Sequence, residues 1–100
     1  MSDRSGSDTQ QPQRQEVVIC NKLGLHARAA ARFVSVASRY RSSIRVHRGQ
    51  REVNGKSIMG VMMLAAGKGA ALELEARGED ATEALTALRE LVDAGFDEKE

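Results

Sequence analysis

The segment from Ala81 to Val92 constrains the fold most strongly, because its apolar residues recur at the spacing of one helical face. Asp80, with Glu83 three residues later, resembles a capping box at the start of this helix, and Gly95 follows its end. A helix with a single apolar stripe must cover it against a second layer of structure. The stripe consists of Ala81, Ala84, Leu85, Leu88, Leu91 and Val92.

The rest of the chain combines a second amphipathic helix with segments of strand character. A helical stripe with a basic outer face begins at Ala27, and a short helix follows Ser57. We therefore predict an α+β fold, an open-faced β-sandwich in which the helices cover one face of a small sheet, with the order of the strands left open. The segments with strand character are residues 16–20, 44–47, 51–54 and 72–76.

The first 15 residues are rich in Ser, Asp, Gln and Arg and have no apolar periodicity. We expect residues 1–15 to be a disordered tail ahead of a single domain, residues 16–100. The beginning of the chain lacks the basic-then-apolar order of a signal peptide, and the longest apolar run is too short to span a bilayer. These features predict a cytoplasmic protein that has no membrane partner.

Neither a metal nor a cofactor is expected from the residues that could bind one. Cys20 is the single cysteine and can form no internal disulfide, so we expect it to pack in a strand. The two histidines, His26 and His47, are far apart in sequence and show no metal-site spacing. His47 lies in a predicted hairpin strand, where we expect it to be solvated and without a role.

The short helix after Ser57 is apolar on all sides until Gly67. Ser57 fits its N-cap, and the methionines that follow suit either gap-filling in the core or an exposed docking surface. A helix that is apolar on every side cannot bury all its side chains under a one-sided sandwich. We therefore expect Ile58 and Met59 to contact a partner.

His26 stands where the Gly24–Leu25 turn enters the first helix. The first amides of a helix have no intrahelical partner, and together with the helix dipole they favour an anion at this position. Arg28 could reach the same anion, and a neutral imidazole is nucleophilic near physiological pH. The position therefore suits a histidine that carries a phosphoryl group, although a plain helix cap fits it equally well.

Two sequence motifs give evidence about function that the position of His26 alone does not give. Residues 22–30 (KLGLHARAA) and 54–62 (NGKSIMGVM) resemble, in content and separation, the histidine-containing phosphocarrier (HPr) family of the bacterial phosphoenolpyruvate-dependent phosphotransferase system. The resemblance extends over about residues 16–96. It implies a four-stranded antiparallel sheet covered on one face by three helices, in agreement with the element order above.

The resemblance also implies roles for individual residues. His26 would accept a phosphoryl group on Nδ1 from phosphorylated enzyme I and pass it to a histidine of an enzyme II A component, so that the chain is a monomeric stoichiometric carrier rather than an independent enzyme. The backbone of Ala27 and Arg28 would bind the phosphate, and the Arg28 guanidinium would neutralise it. Ser57 matches a serine that a dedicated kinase phosphorylates in some members, with a plain N-cap as the alternative. The implied docking patch consists of Ile58, Met59 and Met62.

Three features of the sequence bear on the branch of the family. Leu23 and the closing residues 94–97 favour the nitrogen-related, regulatory branch over sugar uptake. Ala29 stands where the familiar sugar-transport members carry proline, a change that a helix tolerates easily.

Charge is distributed unevenly, and this leaves one rival function open. Residues 22–56 hold nine Lys or Arg and one acid, whereas residues 73–100 hold three bases and ten acids. The basic residues could serve a nucleic-acid-binding module, but three aromatic residues and no recognised motif argue against such a partner. The arginines concerned are Arg28, Arg32, Arg39, Arg41, Arg45, Arg48 and Arg51.

Two other functions, a hydrolase and a nucleotide-binding protein, fit the sequence less well. A hydrolase with His26 as general base would need a nucleophile and an orienting acid beside it, and neither can be assigned from the sequence. Gly55–Lys56–Ser57 resembles the end of a phosphate-binding loop, but Gln50 occupies the position where that motif requires glycine.

Overall fold

The structure, a computed structural model, describes residues 11–98. Its four strands form one antiparallel sheet in the order β1-β4-β2-β3, and three helices complete the domain. The predicted α+β open-faced sandwich is confirmed. The elements are β1 (Gln13–Val18), α1 (Ala27–Ala37), β2 (Ser43–Arg48), β3 (Arg51–Asn54), α2 (Ile58–Met63), β4 (Ala71–Arg77) and α3 (Ala81–Asp93).

The last strand in the chain, β4, lies inside the sheet between β1 and β2. Leu72, Leu74 and Ala76 alternate along it and are buried, as the sequence pattern predicts. Leu74 lies opposite Val46 of β2, which is also buried. This inner face of the sheet forms the floor of the core.

The helices supply the other half of the core. Helix α1 buries Ala29, Ala30, Phe33 and Ala37, and its outer side remains polar. Small alanines allow α1 to approach its neighbours closely, while Phe33 fills the space between layers. Helix α3 buries its predicted stripe except for Leu91, which is half-buried: Ala81, Ala84, Leu85, Leu88 and Val92.

The open face of the sheet carries paired charges. Arg14 Nη1 lies 3.0 Å from Glu73 Oε1, and His47 Nε2 lies 2.7 Å from Glu75 Oε1. The expectation that His47 is solvated is therefore wrong, because its ring is half-buried against a carboxylate on the neighbouring strand. Antiparallel pairing places these side chains side by side, which no local sequence pattern reveals.

Strand β1 begins at Gln13, three residues before the predicted start, and ends at Val18 rather than Cys20. Gln13 lies opposite Ala76 in the register of β4, so an existing neighbour supplies backbone partners to a segment that is polar. Residues 13–15 thus belong to the sheet and not to the predicted tail. The rest of that tail, residues 1–10, lies outside the described residues.

The predicted capping box at α3 is absent. Asp80 makes no side-chain cap to its own helix and instead accepts hydrogen bonds from the amides of Arg41 and Ser42, both at 2.9 Å, and from the Ser42 hydroxyl. These hydrogen bonds hold the pKa of the Asp80 carboxyl below its ordinary value, the Ser42 hydroxyl having the largest effect. Asp80 therefore fastens the loop before β2 to the start of α3.

Between residues 11 and 98, no helix is both long and apolar enough to cross a membrane.

Candidate functional site

His26 is the N-cap residue of α1. Its backbone is extended (φ −72°, ψ 177°), and its carbonyl accepts the hydrogen bond from Ala30 N–H at 2.9 Å. The Arg28 N–H donates to His26 Nδ1 at 3.2 Å. Because Nδ1 accepts this bond, the neutral ring carries its proton on Nε2. The helix thus begins with a nucleophilic nitrogen directed at its own free amides, as the position of His26 predicts.

The turn before His26 is fixed by glycine. Gly24 has φ +68°, and a Cβ there would lie 2.4 Å from the Ala66 carbonyl oxygen and 2.7 Å from Gly67 Cα. The next residue, Leu25, donates its N–H to the same Ala66 carbonyl at 2.9 Å and is itself buried. The loop after α2 is therefore locked against the loop that carries His26.

Cationic side chains border the open pocket of about 750 Å³ beside His26. Arg28 is exposed and its guanidinium has no partner within residues 11–98, so it can turn toward an anion held at the helix start. Arg32, one turn along α1, donates to the carbonyl oxygen of Phe96. Arg28 is thus available to a ligand, whereas Arg32 holds the C-terminal segment in place.

That C-terminal segment brings a carboxylate to the histidine. Glu98 Oε2 is hydrogen-bonded to His26 Nε2, and Glu98 Oε1 accepts a hydrogen bond from Asn21 Nδ2 at 3.0 Å. Asn21 also donates to the carbonyl of Gly24 at 2.8 Å. One carboxylate therefore bridges the ring of His26 and the loop that precedes it.

The surroundings of Glu98 keep it ionised. Burial raises the pKa of its carboxyl, but the hydrogen bonds from Asn21 and His26, with the electrostatic attraction of His26 and Arg32, lower that pKa by more. The net result is a pKa below the ordinary glutamate value. The imidazole of His26 therefore faces a negative charge on its Nε2 side at neutral pH.

Helix α2 presents exposed apolar side chains next to this site. Met59 is 72% exposed, Ile58 42% and Met62 39%, whereas Val61 is buried in the core. Met63 is also exposed, at 64%. The helix thus has one face in the core and one face toward solvent. The three residues of the implied docking patch all lie on the outer face, which we call the apolar patch (Ile58, Met59 and Met62).

Ser57 caps α2, since its hydroxyl oxygen accepts a hydrogen bond from Gly60 N–H at 3.0 Å. This is the N-cap role that the sequence predicts. The hydroxyl is half-buried and directly precedes the apolar patch.

The arginines of the predicted basic surface do not act together. Arg48 donates to the carbonyl oxygens of Leu64 and Ala65, and Arg51 donates to that of Met63, so both stabilise the end of α2. Arg45 pairs with Glu52 at 2.7 Å on the open face of the sheet. Several of these arginines are therefore engaged in contacts within the fold.

Asn21, Arg32 and Glu98 belong to the site, yet no sequence pattern assigned them to it. Glu98 lies 72 residues from its histidine partner. The one sequence signal was indirect, namely that Asn21 directly precedes the Lys22–Ala30 motif. The contact with Glu98 depends on the tertiary fold.

Comparison with known proteins is consistent with this geometry. The family model described as the PTS HPr component phosphorylation site matches residues 13–94. The chain is 60% identical over 86 residues to the phosphocarrier protein HPr of Pseudomonas aeruginosa, covering 85% of this chain and 96% of the relative. It is 45% identical over 83 residues to the phosphocarrier protein NPr of Shewanella violacea, covering 83% and 91%.

Solved structures have the same architecture. The crystal structure of HPr-C-His from Thermoanaerobacter tengcongensis superposes with a TM-score of 0.84 at 43% sequence identity, covering 88% of this chain and 99% of that one.

Proposed function

The chain belongs to the HPr family of phosphocarrier proteins of the phosphotransferase system, and from this premise we propose that His26 is the residue that carries the phosphoryl group. One observation supports this assignment above the others. His26 Nδ1 lies at the start of α1, where it accepts a hydrogen bond from the Arg28 amide and keeps its lone pair on the side of the free helix amides.

The chemistry is a direct exchange between two nitrogens. The Nδ1 lone pair of His26 attacks the phosphorus of a phosphohistidine on the donor protein, and a new N–P bond forms. The donor's N–P bond breaks, and its electron pair returns to the donor imidazole. The proton on Nε2 of His26 stays in place throughout. The next transfer repeats these steps with His26 as the donor.

Stabilisation of the phosphoryl group falls to the start of α1. The amides of Ala27 and Arg28 lie in the first turn, where the helix dipole favours an anion. The Arg28 guanidinium adds a fork of donors for the phosphoryl oxygens. In the unphosphorylated protein the Arg28 N–H is bonded to Nδ1, and phosphorylation frees it for an oxygen of the adduct.

The partners follow from this role. We propose enzyme I as donor and an enzyme II A component as acceptor, each docking on the apolar patch. The patch is suited to this because the Gly24 contact and the Leu25 hydrogen bond connect the loop after α2 to the loop that carries His26. A partner bound to α2 is thus held at a defined distance from Nδ1. We assign this exchange to the cytoplasm and to a stoichiometric carrier rather than an independent catalyst.

Intact-mass analysis tests the proposal. The wild-type chain, His26→Ala and His47→Ala are incubated with phosphoenolpyruvate and enzyme I of either the sugar or the nitrogen-related branch. We expect an acid-labile gain of one phosphoryl group in the wild type and in His47→Ala, and none in His26→Ala. The faster of the two donors identifies the branch. A wild-type chain that gains no phosphoryl group from either donor would refute the proposal.

A further inference from the structure

The contact between His26 and Glu98 lies on the side of the ring away from the phosphoryl position. Nδ1 faces the amide of Arg28, and Nε2 faces the Glu98 carboxylate. The Glu98 side chain is only 13% exposed, and the His26 side chain is 29% exposed. The carboxylate is therefore in close contact with the histidine and largely shielded from solvent.

Glu98 is held by more than its contact with the ring. Asn21, which is 2% exposed, donates from Nδ2 to Glu98 Oε1 and to the Gly24 carbonyl. Since each carboxylate oxygen has its own partner, the plane of the carboxylate is fixed relative to the loop before α1. The ring of His26 is fixed in turn, because its two nitrogens bond to groups on opposite sides.

A strained turn delivers Glu98 to this position. Gly95, Phe96 and Asp97 form a short turn in which all three φ angles are positive, at 63°, 58° and 60°. Phe96 is the strained member of this turn, because a side chain other than that of Asn or Asp loses about 1–2 kcal/mol in the left-handed region. Complete burial of Phe96 and the hydrogen bond from Arg32 to its carbonyl offset the strain. Non-glycine residues held in this region are concentrated at functional sites.

We infer that Glu98 is a positioning residue for phosphoryl transfer, which holds the proton on His26 Nε2, keeps the Nδ1 lone pair toward the donor and balances the charge that the ring gains. This inference rests on the proposed role of His26. When the Nδ1–P bond forms, the ring donates its lone pair and becomes cationic while Nε2 keeps its proton. A carboxylate on Nε2 stabilises that cation without approaching the phosphoryl oxygens.

The first test is kinetic. Glu98→Gln keeps the size and the acceptor oxygen but removes the charge, and Glu98→Ala removes both. Because a charge-assisted hydrogen bond is about twice as strong as a neutral one, we expect Glu98→Gln to lower about tenfold the kcat of enzyme I with this chain as acceptor, with the KM of enzyme I for the chain unchanged. Glu98→Ala should lose at least as much. Glu90→Gln, a matched change at an exposed position of α3, should behave as wild type.

A second arm removes docking from the comparison. Phosphoramidate is a small donor that transfers its phosphoryl group to imidazole and releases ammonia. We expect the same ratio of rates between wild type and Glu98→Gln with this donor as with enzyme I. A loss seen only with enzyme I would show that Glu98 acts on docking, and would overturn the inference.

A spectroscopic signature separates this inference from the proposed function. In the unphosphorylated protein, the His26 Nε2–H bonded to a carboxylate should give a downfield, slowly exchanging proton resonance. It should move upfield in Glu98→Gln and vanish in Glu98→Ala, while the amide spectrum of the fold is retained. This NMR measurement needs no phosphoryl donor, so it tests the contact between Glu98 and His26 even if the wild type accepts no phosphoryl group. Identical Nε2 signals in all three proteins, or equal rates, would refute the role of Glu98.

Discussion

Replacing Gly24 with alanine should disrupt the link between the histidine loop and the loop after α2. Alanine in the left-handed region loses about 1–2 kcal/mol. The added Cβ would lie 2.4 Å and 2.7 Å from backbone atoms of Ala66 and Gly67, which cannot turn aside as a flexible side chain could. If the two loops move apart to relieve this clash, the hydrogen bond from Leu25 N–H to the Ala66 carbonyl breaks, which costs about 1 kcal/mol more. We expect the free energy of unfolding to fall by about 3 kcal/mol or more.

Gly49 provides the matched control. It also has positive φ, at +60°, but a Cβ there meets nothing within 4 Å. Gly49→Ala should therefore show the conformational term alone, about 1 kcal/mol once the stiffer unfolded chain is included. Urea unfolding followed by circular dichroism measures both variants. If the two variants lose the same free energy of unfolding within about 0.5 kcal/mol, the predicted clash of a Cβ at Gly24 with the backbone of Ala66 and Gly67 has no effect on stability, and the prediction is wrong.

Three further changes probe the patch, its cap and the loop before β2. Met59→Ser should raise the KM of enzyme I for this chain about tenfold with the fold intact. Val18→Ser changes an exposed apolar residue on the open face of the sheet and should leave this KM unchanged. Equal KM values for the two variants would contradict docking on α2. Ser57→Ala should lower the free energy of unfolding by about 1 kcal/mol and leave the rate of phosphoryl acceptance unchanged. Ser57→Asp should keep the cap and slow phosphoryl acceptance severalfold. Unfolding measurements and rates of phosphoryl acceptance distinguish the two effects. Asp80→Asn should be less stable than wild type at neutral pH. Because the folded pKa of Asp80 is lowered, its contribution is complete above its unfolded value of about 3.9 and disappears as pH falls through the folded pKa. A difference in unfolding free energy that does not change with pH would contradict this.

Much of the fold was predictable because local patterns and tertiary demands agree. The stripe of α3 and the alternation of β4 both report which side of an element is buried, and each is buried on that side in the structure. The position of His26 at the start of α1 also follows from local sequence, because the turn and the helical stripe are adjacent in the chain.

Features that depend on distant partners could not be read in this way. Gln13 joins the sheet because β4 is beside it, and Asp80 turns from its own helix to the amides of Arg41 and Ser42. The role of Glu98 needs three residues of left-handed backbone, a conformation that the side chain of Phe96 disfavours. The backbone propensity of Phe96 therefore argues against the turn that completes the site, and the burial of Phe96 with the hydrogen bond from Arg32 to its carbonyl offsets this propensity.

The ring nitrogen that carries the phosphoryl group can be identified directly by NMR. The chain is labelled with ¹⁵N-histidine, phosphorylated with phosphoenolpyruvate and enzyme I, and studied by phosphorus–nitrogen correlation NMR. We expect a single phosphorus resonance coupled to Nδ1 of His26, with Nε2 still protonated against Glu98. Coupling to Nε2 of His26, or to either nitrogen of His47, would contradict it.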